Sequence, residues 1–150
     1  MWIASPYFIP DTGILDALHL ARYRGVDVQL LMPTIADHFL SHYASRYYWK
    51  DILARGVKLC LYTRGMMHAK YIIVDGKISI VGSANMDPRS LQLNFEAGCV
   101  LYDAALTAEL EKSFQEDMQY ASCMNLQLFN RRSFASRLAE NASRLFSPIL

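Results

Sequence analysis

Residues 68–85, HAKYIIVDGKISIVGSAN, constrain the fold more than any other part of the chain. They contain two runs rich in Ile and Val, each about as long as a β-strand, with Asp75-Gly76 between them. Isoleucine and valine favour strands, and an Asp-Gly pair tolerates the positive φ angles of a tight turn. The segment therefore predicts an antiparallel hairpin with a two-residue turn.

Such a hairpin would bring four polar side chains together at its open end. Side chains alternate between the two faces of a strand, so His68 and Lys70 point the same way. Ser83 and Asn85 have the same spacing at the end of the second strand, which the turn returns to the level of His68. An imidazole can attack phosphorus, and ammonium, hydroxyl and amide groups can hold the charged oxygens of the transition state. Together, the four groups could attack a phosphate and stabilise its transition state.

The same residues also have a purely structural interpretation. A single His or Lys at a strand end is commonly a surface residue or a partner in a core hydrogen bond, and Asp75-Gly76 can serve the turn alone. We expect Asp75 itself to be mainly structural. The whole spacing, which is His-x-Lys, four residues, Asp, six residues and Gly-Ser-x-Asn, favours the catalytic interpretation because only the combination is specific.

Strand and helix patterns alternate along the rest of the chain. This alternation predicts an α/β sandwich in which a mixed central sheet is flanked by helices on both faces. With 150 residues, the chain has the size of one ordinary domain. Besides the hairpin, the predicted strands are 2–8, 26–32, 58–62 and the segment LQLNFEAGCVLYD, and the predicted helices are 12–24, 37–55 and 103–121, the last capped by Asp103.

Composition excludes some classes of protein. The apolar fraction of 53% and the charged fraction of 19% indicate a folded, core-rich chain and not a disordered one. The net charge of +1 supplies no strong positive field, which speaks against nucleic acid as a partner. The charge is uneven, because residues 131–150 hold four arginines and one glutamate.

This C-terminal segment predicts an amphipathic helix at about 131–147. Two interpretations remain open: docking on the core of its own domain, which we slightly favour, and insertion into an anionic membrane interface. One face carries Phe134, Leu138, Ala142, Leu145 and Phe146, and the other carries Arg137, Glu140 and Arg144, with Glu140 and Arg144 at a favourable i, i+4 spacing.

The three cysteines are Cys60, Cys99 and Cys123. They form no Cys-x-x-Cys pair, and an odd number is typical of a reducing compartment. We expect Cys60 and Cys99 to be small apolar residues within strands.

A second candidate site consists of Asp37, His38 and His42. Two histidines at i, i+4 on a helix can bind a metal ion, but aromatic residues surround them and the sequence offers no obvious third ligand. We expect no metal here, and instead a helix face near the mouth of the site.

The spacing in residues 68–85 resembles the HKD motif of the phospholipase D superfamily. The resemblance implies that His68, Lys70 and Asp75 are the motif residues and that Ser83 and Asn85 bind the phosphate. It also implies that Glu96 accepts a hydrogen bond from the second ring nitrogen of His68, which fixes the tautomer and stabilises the cation. A surface glutamate at the start of a strand is the other interpretation of Glu96. No metal or other cofactor is implied.

Four stretches are similar to bacterial cardiolipin synthases, and to their C-terminal half in particular. The resemblance implies transfer of a phosphatidyl group between two phosphatidylglycerol molecules, which yields cardiolipin and glycerol. One motif histidine would attack to form a phosphohistidine, and the histidine of a second motif would protonate the leaving group. The four stretches are SPYFIPDTGILDALHLARYRGVDVQLLMP, MHAKYIIVDG, GSANMDPRSLQLNFEAG and ENASRLFSPIL.

The resemblance also implies partners and a location. The second HKD half would come from the same full-length chain or from a homodimer partner, and the substrate would be anionic phospholipid at the bacterial inner membrane. The chain begins within a predicted strand, and no apolar stretch approaches the roughly 20 residues that span a bilayer, so we expect a fragment of a longer protein. A homodimeric, metal-independent phosphodiesterase or nuclease and an inactive fragment remain as alternatives.

Overall fold

A computed structural model describes residues 1–34 and 38–147. Its centre is a seven-stranded mixed sheet with the strand order β6-β5-β4-β1-β2-β3-β7. β2 runs parallel to both of its neighbours, β1 and β3, and the other neighbouring pairs are antiparallel. The strands are β1 Trp2–Ala4, β2 Gln29–Pro33, β3 Lys58–Tyr62, β4 Tyr71–Val74, β5 Ile78–Gly82, β6 Gly98–Leu101 and β7 Ala121–Cys123.

Helices cover both faces of this sheet, which confirms the predicted α/β sandwich. Two of them start as the sequence indicates, because side chains of Asp11 and Asp103 cap the first turns of α1 and α3. The predicted helix 37–55 begins at Phe39 within the described residues, and Asp37 lies outside them. The helices are α1 Thr12–Tyr23, α2 Phe39–Ala54, α3 Ala104–Met118, α4 Leu126–Asn130 and α5 Phe134–Arg144.

Two apolar clusters hold the layers together. On one face of the sheet, strand residues such as Leu30 pack with Leu18 of α1, Trp49 of α2 and Phe129 of α4. On the other face, strand residues pack against Phe114 of α3. Because successive strand residues point to opposite faces, neighbouring positions of β2 supply both clusters.

The hairpin forms at the predicted place. Asp75 and Gly76 have φ angles of 53° and 63°, and the amide of Lys77 donates to the carbonyl of Val74 at 3.1 Å. Val74 pairs with Ile78, so the loop has three residues and not the predicted two. The open end still brings Lys70 opposite Gly82, whose amide donates to the Lys70 carbonyl at 3.2 Å.

Three strand predictions were too long, and in the predicted strand 26–32 the observed strand begins only at Gln29. β1 ends at Ala4, because the Ser5 hydroxyl donates to the Tyr7 carbonyl at 2.7 Å and accepts from the Met86 amide at 3.2 Å. These bonds turn the chain out of the sheet and tie it to the segment after β5. In LQLNFEAGCVLYD, only Gly98–Leu101 is a strand. Arg89–Leu93 forms a helical turn, and its Ser90 amide donates to the buried side chain of Asp87 at 2.6 Å.

Cys60 and Cys99 lie in strands as predicted, but Cys60 forms a disulfide that the sequence analysis did not predict. Cys60 and Cys123 face each other across β3 and β7, with Cα atoms 3.9 Å apart, and their sulfur atoms are bonded. Cys99 is free and exposed on β6. The sequence pattern missed the pair because β7 is only three residues long, and because 63 residues separate the two cysteines.

The C-terminal helix packs on α2, as one of the two interpretations requires, but it does so through its polar side. Glu140 and Ser143 are buried, whereas the apolar residues of the other face, among them Phe134 and Leu138, are exposed. Glu140 forms ion pairs with Arg46 and Arg132. Arg144 stacks over the ring of Tyr47 at 4.6 Å. The i, i+4 spacing of Glu140 and Arg144 is therefore not used for an ion pair.

Candidate active site

The predicted site residues, with the exception of Asp75, converge at one edge of the sheet. His68 and Lys70 lie in the extended chain just before β4, while Ser83 and Asn85 follow β5. The end of β1 lies beside the start of β4, since Ala4 pairs with Tyr71. The hairpin and β1 therefore place these side chains on the segments that flank neighbouring strand ends.

His68 and Lys70 are in direct contact. The Lys70 ammonium donates to the His68 carbonyl at 3.0 Å and lies 3.2 Å and 3.3 Å from the two ring nitrogens. A cation at this distance attracts the same phosphate that a ring nitrogen would approach. The prediction that both side chains point the same way is confirmed, although both residues precede the strand and are not part of it.

Glu96 has different partners from those the resemblance implied. Its carboxylate accepts hydrogen bonds from the Ser83 hydroxyl and from the Asn94 amide, the latter at 3.1 Å. The bond from Ser83 contributes most to holding the pKa of the Glu96 carboxyl below its usual range, followed by Asn94 and the charge of Lys70. Within the described chain, Glu96 makes no hydrogen bond to His68. The structure thus links Glu96 to Ser83, and Ser83 to the Ala97 backbone at 3.0 Å.

Asn85 lies between two cavities. One has a volume of about 510 Å³ and is lined by His68 and Asn85 together with His38 and Arg89. The other, about 190 Å³, is lined by Lys70, Asn85 and Glu96. The side-chain oxygen of Asn85 is buried and has no hydrogen-bond partner among residues 1–34 and 38–147. An unsatisfied buried amide between two cavities is positioned to bind a polar group of a ligand.

Gly82 allows the strands at the site to approach closely. A Cβ atom at this position would lie 2.7 Å from the Ala97 carbonyl oxygen and 3.0 Å from the Gly98 Cα. Any larger residue would push β5 away from the segment that carries Glu96 and Ala97. The glycine of the motif is therefore needed for packing at the site.

Asp75 is not brought to the site. It is exposed in the hairpin turn, at the far end of β4 from His68. Asp75 follows His68 by seven positions of extended chain, a distance of roughly 20 Å. Its position in the turn agrees with a structural role.

Comparison with known proteins defines the family. The model of the family described as "Cardiolipin synthase, PLD-like domain" matches residues 1–118. The chain belongs to this family. It is 45% identical over 150 residues to the cardiolipin synthase of Geobacillus kaustophilus and 40% identical to that of Clostridium perfringens. It matches along its whole length but spans only 30% and 32% of these two relatives.

Solved structures support the phospholipase D fold of this family member. Nuc of Salmonella typhimurium, a phospholipase D family member, matches with a TM-score of 0.70 over 82% of this chain and 80% of that chain, at 23% identity. The phosphatidylserine synthase of Haemophilus influenzae matches with a TM-score of 0.78 over 99% of this chain and 41% of that chain, at 18% identity. At these identities the likeness concerns the fold alone.

Several site residues of this phospholipase D-like chain were not found from the sequence. Asn94 bonds to Glu96, and Tyr7, Arg89 and Ser90 line the larger cavity beside His68. They come from two segments, around Tyr7 and at 89–94, whose proximity depends on the Ser5–Met86 contact and on the helical turn Arg89–Leu93. No short motif in the sequence marks them.

The second candidate site, a possible metal site, lies around His38 and His42. Residues 1–34 and 38–147 contain no group of three or more His, Cys, Asp or Glu side chains placed to hold a metal ion, and Asp37 is not described. His42 is half-buried, and its burial and the nearby Arg46 lower its pKa. His38 instead lines the larger cavity with His68.

Proposed function

We propose that residues 1–150 form one phospholipase D-like domain that supplies one of two HKD motifs for phosphatidyl transfer. The reaction converts two phosphatidylglycerol molecules into cardiolipin and glycerol. The observation that carries this proposal is the contact between the Lys70 ammonium and the His68 ring beside a cavity, in a chain of the cardiolipin synthase family. Asn85, with a buried and unsatisfied amide oxygen, adds a polar group for the substrate.

In the first step, an unprotonated ring nitrogen of one motif histidine attacks the phosphorus of phosphatidylglycerol. A P–N bond forms and the P–O bond to the headgroup glycerol breaks. The leaving alkoxide takes a proton from the histidine of the other motif. Lys70 and its counterpart stabilise the charge on the phosphoryl oxygens.

In the second step, a glycerol hydroxyl of another phosphatidylglycerol gives its proton to the histidine that acted as the acid. Its oxygen attacks phosphorus, the P–N bond breaks, and cardiolipin forms. Both histidines return to their starting protonation states. Glu96 supports this chemistry by fixing the Ser83 hydroxyl and the Asn94 amide beside the motif.

The second motif would come from the other half of a longer chain or from a homodimer partner. All residues from 91 to 100, next to the site, are exposed, among them Leu93, Phe95 and Val100. Transfer to an alcohol must compete with hydrolysis, and it succeeds only if water is kept from the phosphohistidine. A second half that covers this edge would exclude that water and deliver the second histidine.

We also propose that the domain works at the surface of the bacterial cytoplasmic membrane, where its anionic phospholipid substrate lies. None of the helices in residues 1–34 and 38–147 is both long and apolar enough to cross a bilayer. The reaction needs no divalent metal, since Lys70 supplies the positive charge and a neutral imidazole is already a nucleophile.

The test is product analysis on an assembly that contains both motifs, with phosphatidylglycerol in mixed micelles and with EDTA present. We expect cardiolipin and glycerol in equal amounts, at the rate measured without EDTA at matched ionic strength. Phosphatidic acid as the main product would contradict transferase activity. Loss of activity that one specific metal restores would contradict the metal-free mechanism.

The Lys70 ammonium is expected to act mainly in the transition state. Lys70→Ala should lower kcat by about two decades or more, the loss expected for one strong donor to the developing charge. Glu96→Gln should lower kcat less, because Glu96 acts through Ser83 and Asn94. Lys77→Ala, in the exposed hairpin turn, is the matched control and should leave kcat unchanged. An unchanged kcat for Lys70→Ala would mean that this side chain does not face the phosphate.

A further inference from the structure

Unlike most surface helices, α5 buries polar residues and exposes apolar ones. A helix on a soluble domain normally buries its apolar stripe and exposes its polar side. In α5, Glu140 is 2% exposed and Ser143 is 4% exposed. The Glu140 carboxylate accepts from Arg132 at 2.7 Å, from Arg46 at 3.2 Å and from Ser136 at 3.2 Å. The helix is therefore held on α2 by a polar network.

As a result, the apolar side of α5 faces outward. Single exposed apolar residues are common, but several on one helix face form a patch that marks an interaction surface. We call the following set the outer face of α5, which includes the two residues directly after the helix: Phe134, 80% exposed, Leu138, 59%, Leu145, 78%, and Phe146, 47%.

The charges that residues 126–147 expose around the outer face all have one sign, although Asp51 of α2 lines the cavity beside them. Arg137 and Arg144, seven residues apart, run along one flank of the helix, and both line a cavity of about 720 Å³ between α1, α2 and α5. Residues 126–147 contain one acidic side chain, Glu140, which is buried and paired with two arginines. The exposed surface of this segment is therefore apolar and cationic, without an exposed carboxylate.

We propose that the outer face of α5 docks into the interface of an anionic lipid bilayer. The apolar side chains would enter the boundary between headgroups and acyl chains, and the flanking arginines would lie at the level of the lipid phosphates. The cationic flank selects this occupant, because a purely apolar partner would gain nothing from Arg137 and Arg144. The contact is separate from the chemistry at His68, so it can be tested without turnover.

The test measures binding of the purified protein to sedimented vesicles, either phosphatidylcholine alone or phosphatidylcholine with phosphatidylglycerol. We expect binding to the anionic vesicles only, weakened by added salt. Phe134→Ser combined with Leu138→Ser should weaken binding by about tenfold or more, since two large apolar side chains leave the interface. Leu106→Ser, on α3 at the opposite face of the sheet, is the control and should bind as the unchanged protein does.

Two further measurements test separately the contribution of the arginine charge to binding and the depth at which residue 134 enters the bilayer. Arg137→Gln should weaken binding to anionic vesicles, whereas Lys112→Gln on α3 should not. In Phe134→Trp, the added fluorescence should shift to shorter wavelength on anionic vesicles and be quenched by brominated lipid. Retained binding in the double serine variant would assign the lipid contact to the active site and overturn the proposal. A change from dimer to monomer in that variant, without vesicles, would overturn it in favour of a second copy.

Discussion

His68→Asn should abolish turnover, with a loss of about four decades or more, because asparagine has no nitrogen that can attack phosphorus or donate a proton as imidazolium. The side chain is exposed before β4, so the melting temperature should stay nearly unchanged. The measurement is cardiolipin formation from phosphatidylglycerol by an assembly with both motifs. Normal product formation by this variant would exclude His68 from the chemistry.

Two further measurements sharpen this result. His19→Asn, on α1 beside Asp51, should keep turnover, which separates the effect of His68 from loss of any histidine. Rapid quenching should trap an acid-labile phosphatidyl adduct on the protein. If that adduct disappears in His68→Asn, His68 is the nucleophile, and if it persists, His68 is the general acid.

Glu140→Gln should lower the free energy of unfolding by about 2 to 4 kcal/mol. Removing one member of a buried ion pair leaves its partners with an uncompensated charge, which costs more than the pair contributes in isolation. Here two partners are affected, Arg132 at 2.7 Å and Arg46 at 3.2 Å, and each keeps some access to water, which moderates the loss. Urea unfolding followed by circular dichroism measures the change.

Glu109→Gln, an exposed residue of α3, is the control and should change stability by less than about 0.5 kcal/mol. Limited proteolysis measures the release of α5 from α2 directly, because that release would expose residues 131–147 to cleavage before the sheet unfolds. An unchanged unfolding midpoint with unchanged proteolysis would show that the Glu140 network does not hold α5.

The sequence predicted those parts of the fold that depend on neighbouring residues. Apolar residues with the period of a strand or a helix located most elements, and Asp103 marked the start of α3 because its side chain bonds to the next turn. Prediction failed where a contact between distant segments decides the structure. β1 stops at Ala4 because Ser5 bonds to Met86, a residue 81 positions away.

In the candidate site, too, the sequence predicted the local arrangement and missed the contacts between distant segments. The alternation of side chains along an extended chain was enough to place His68 beside Lys70, and an Asp-Gly turn was enough to return Ser83 and Asn85 to that level. The partners of Glu96 were not predictable in this way. They depend on how the segment after the helical turn Arg89–Leu93 lies against the end of β5, because Ser83 is 13 positions before Glu96 in the sequence.

By itself, the sequence of this protein determined the hairpin, the pairing of His68 with Lys70 and the alternation of layers, because backbone geometry repeats over a few residues. Only the tertiary structure decided that Gly82 must be small, that Cys60 meets Cys123 and that α5 turns its apolar side outward. An amphipathic pattern shows that a helix has two sides, but not which side faces the protein. For α5, Arg46 lies 94 residues before Glu140 in the sequence, and the order of the strands and helices brings the two together.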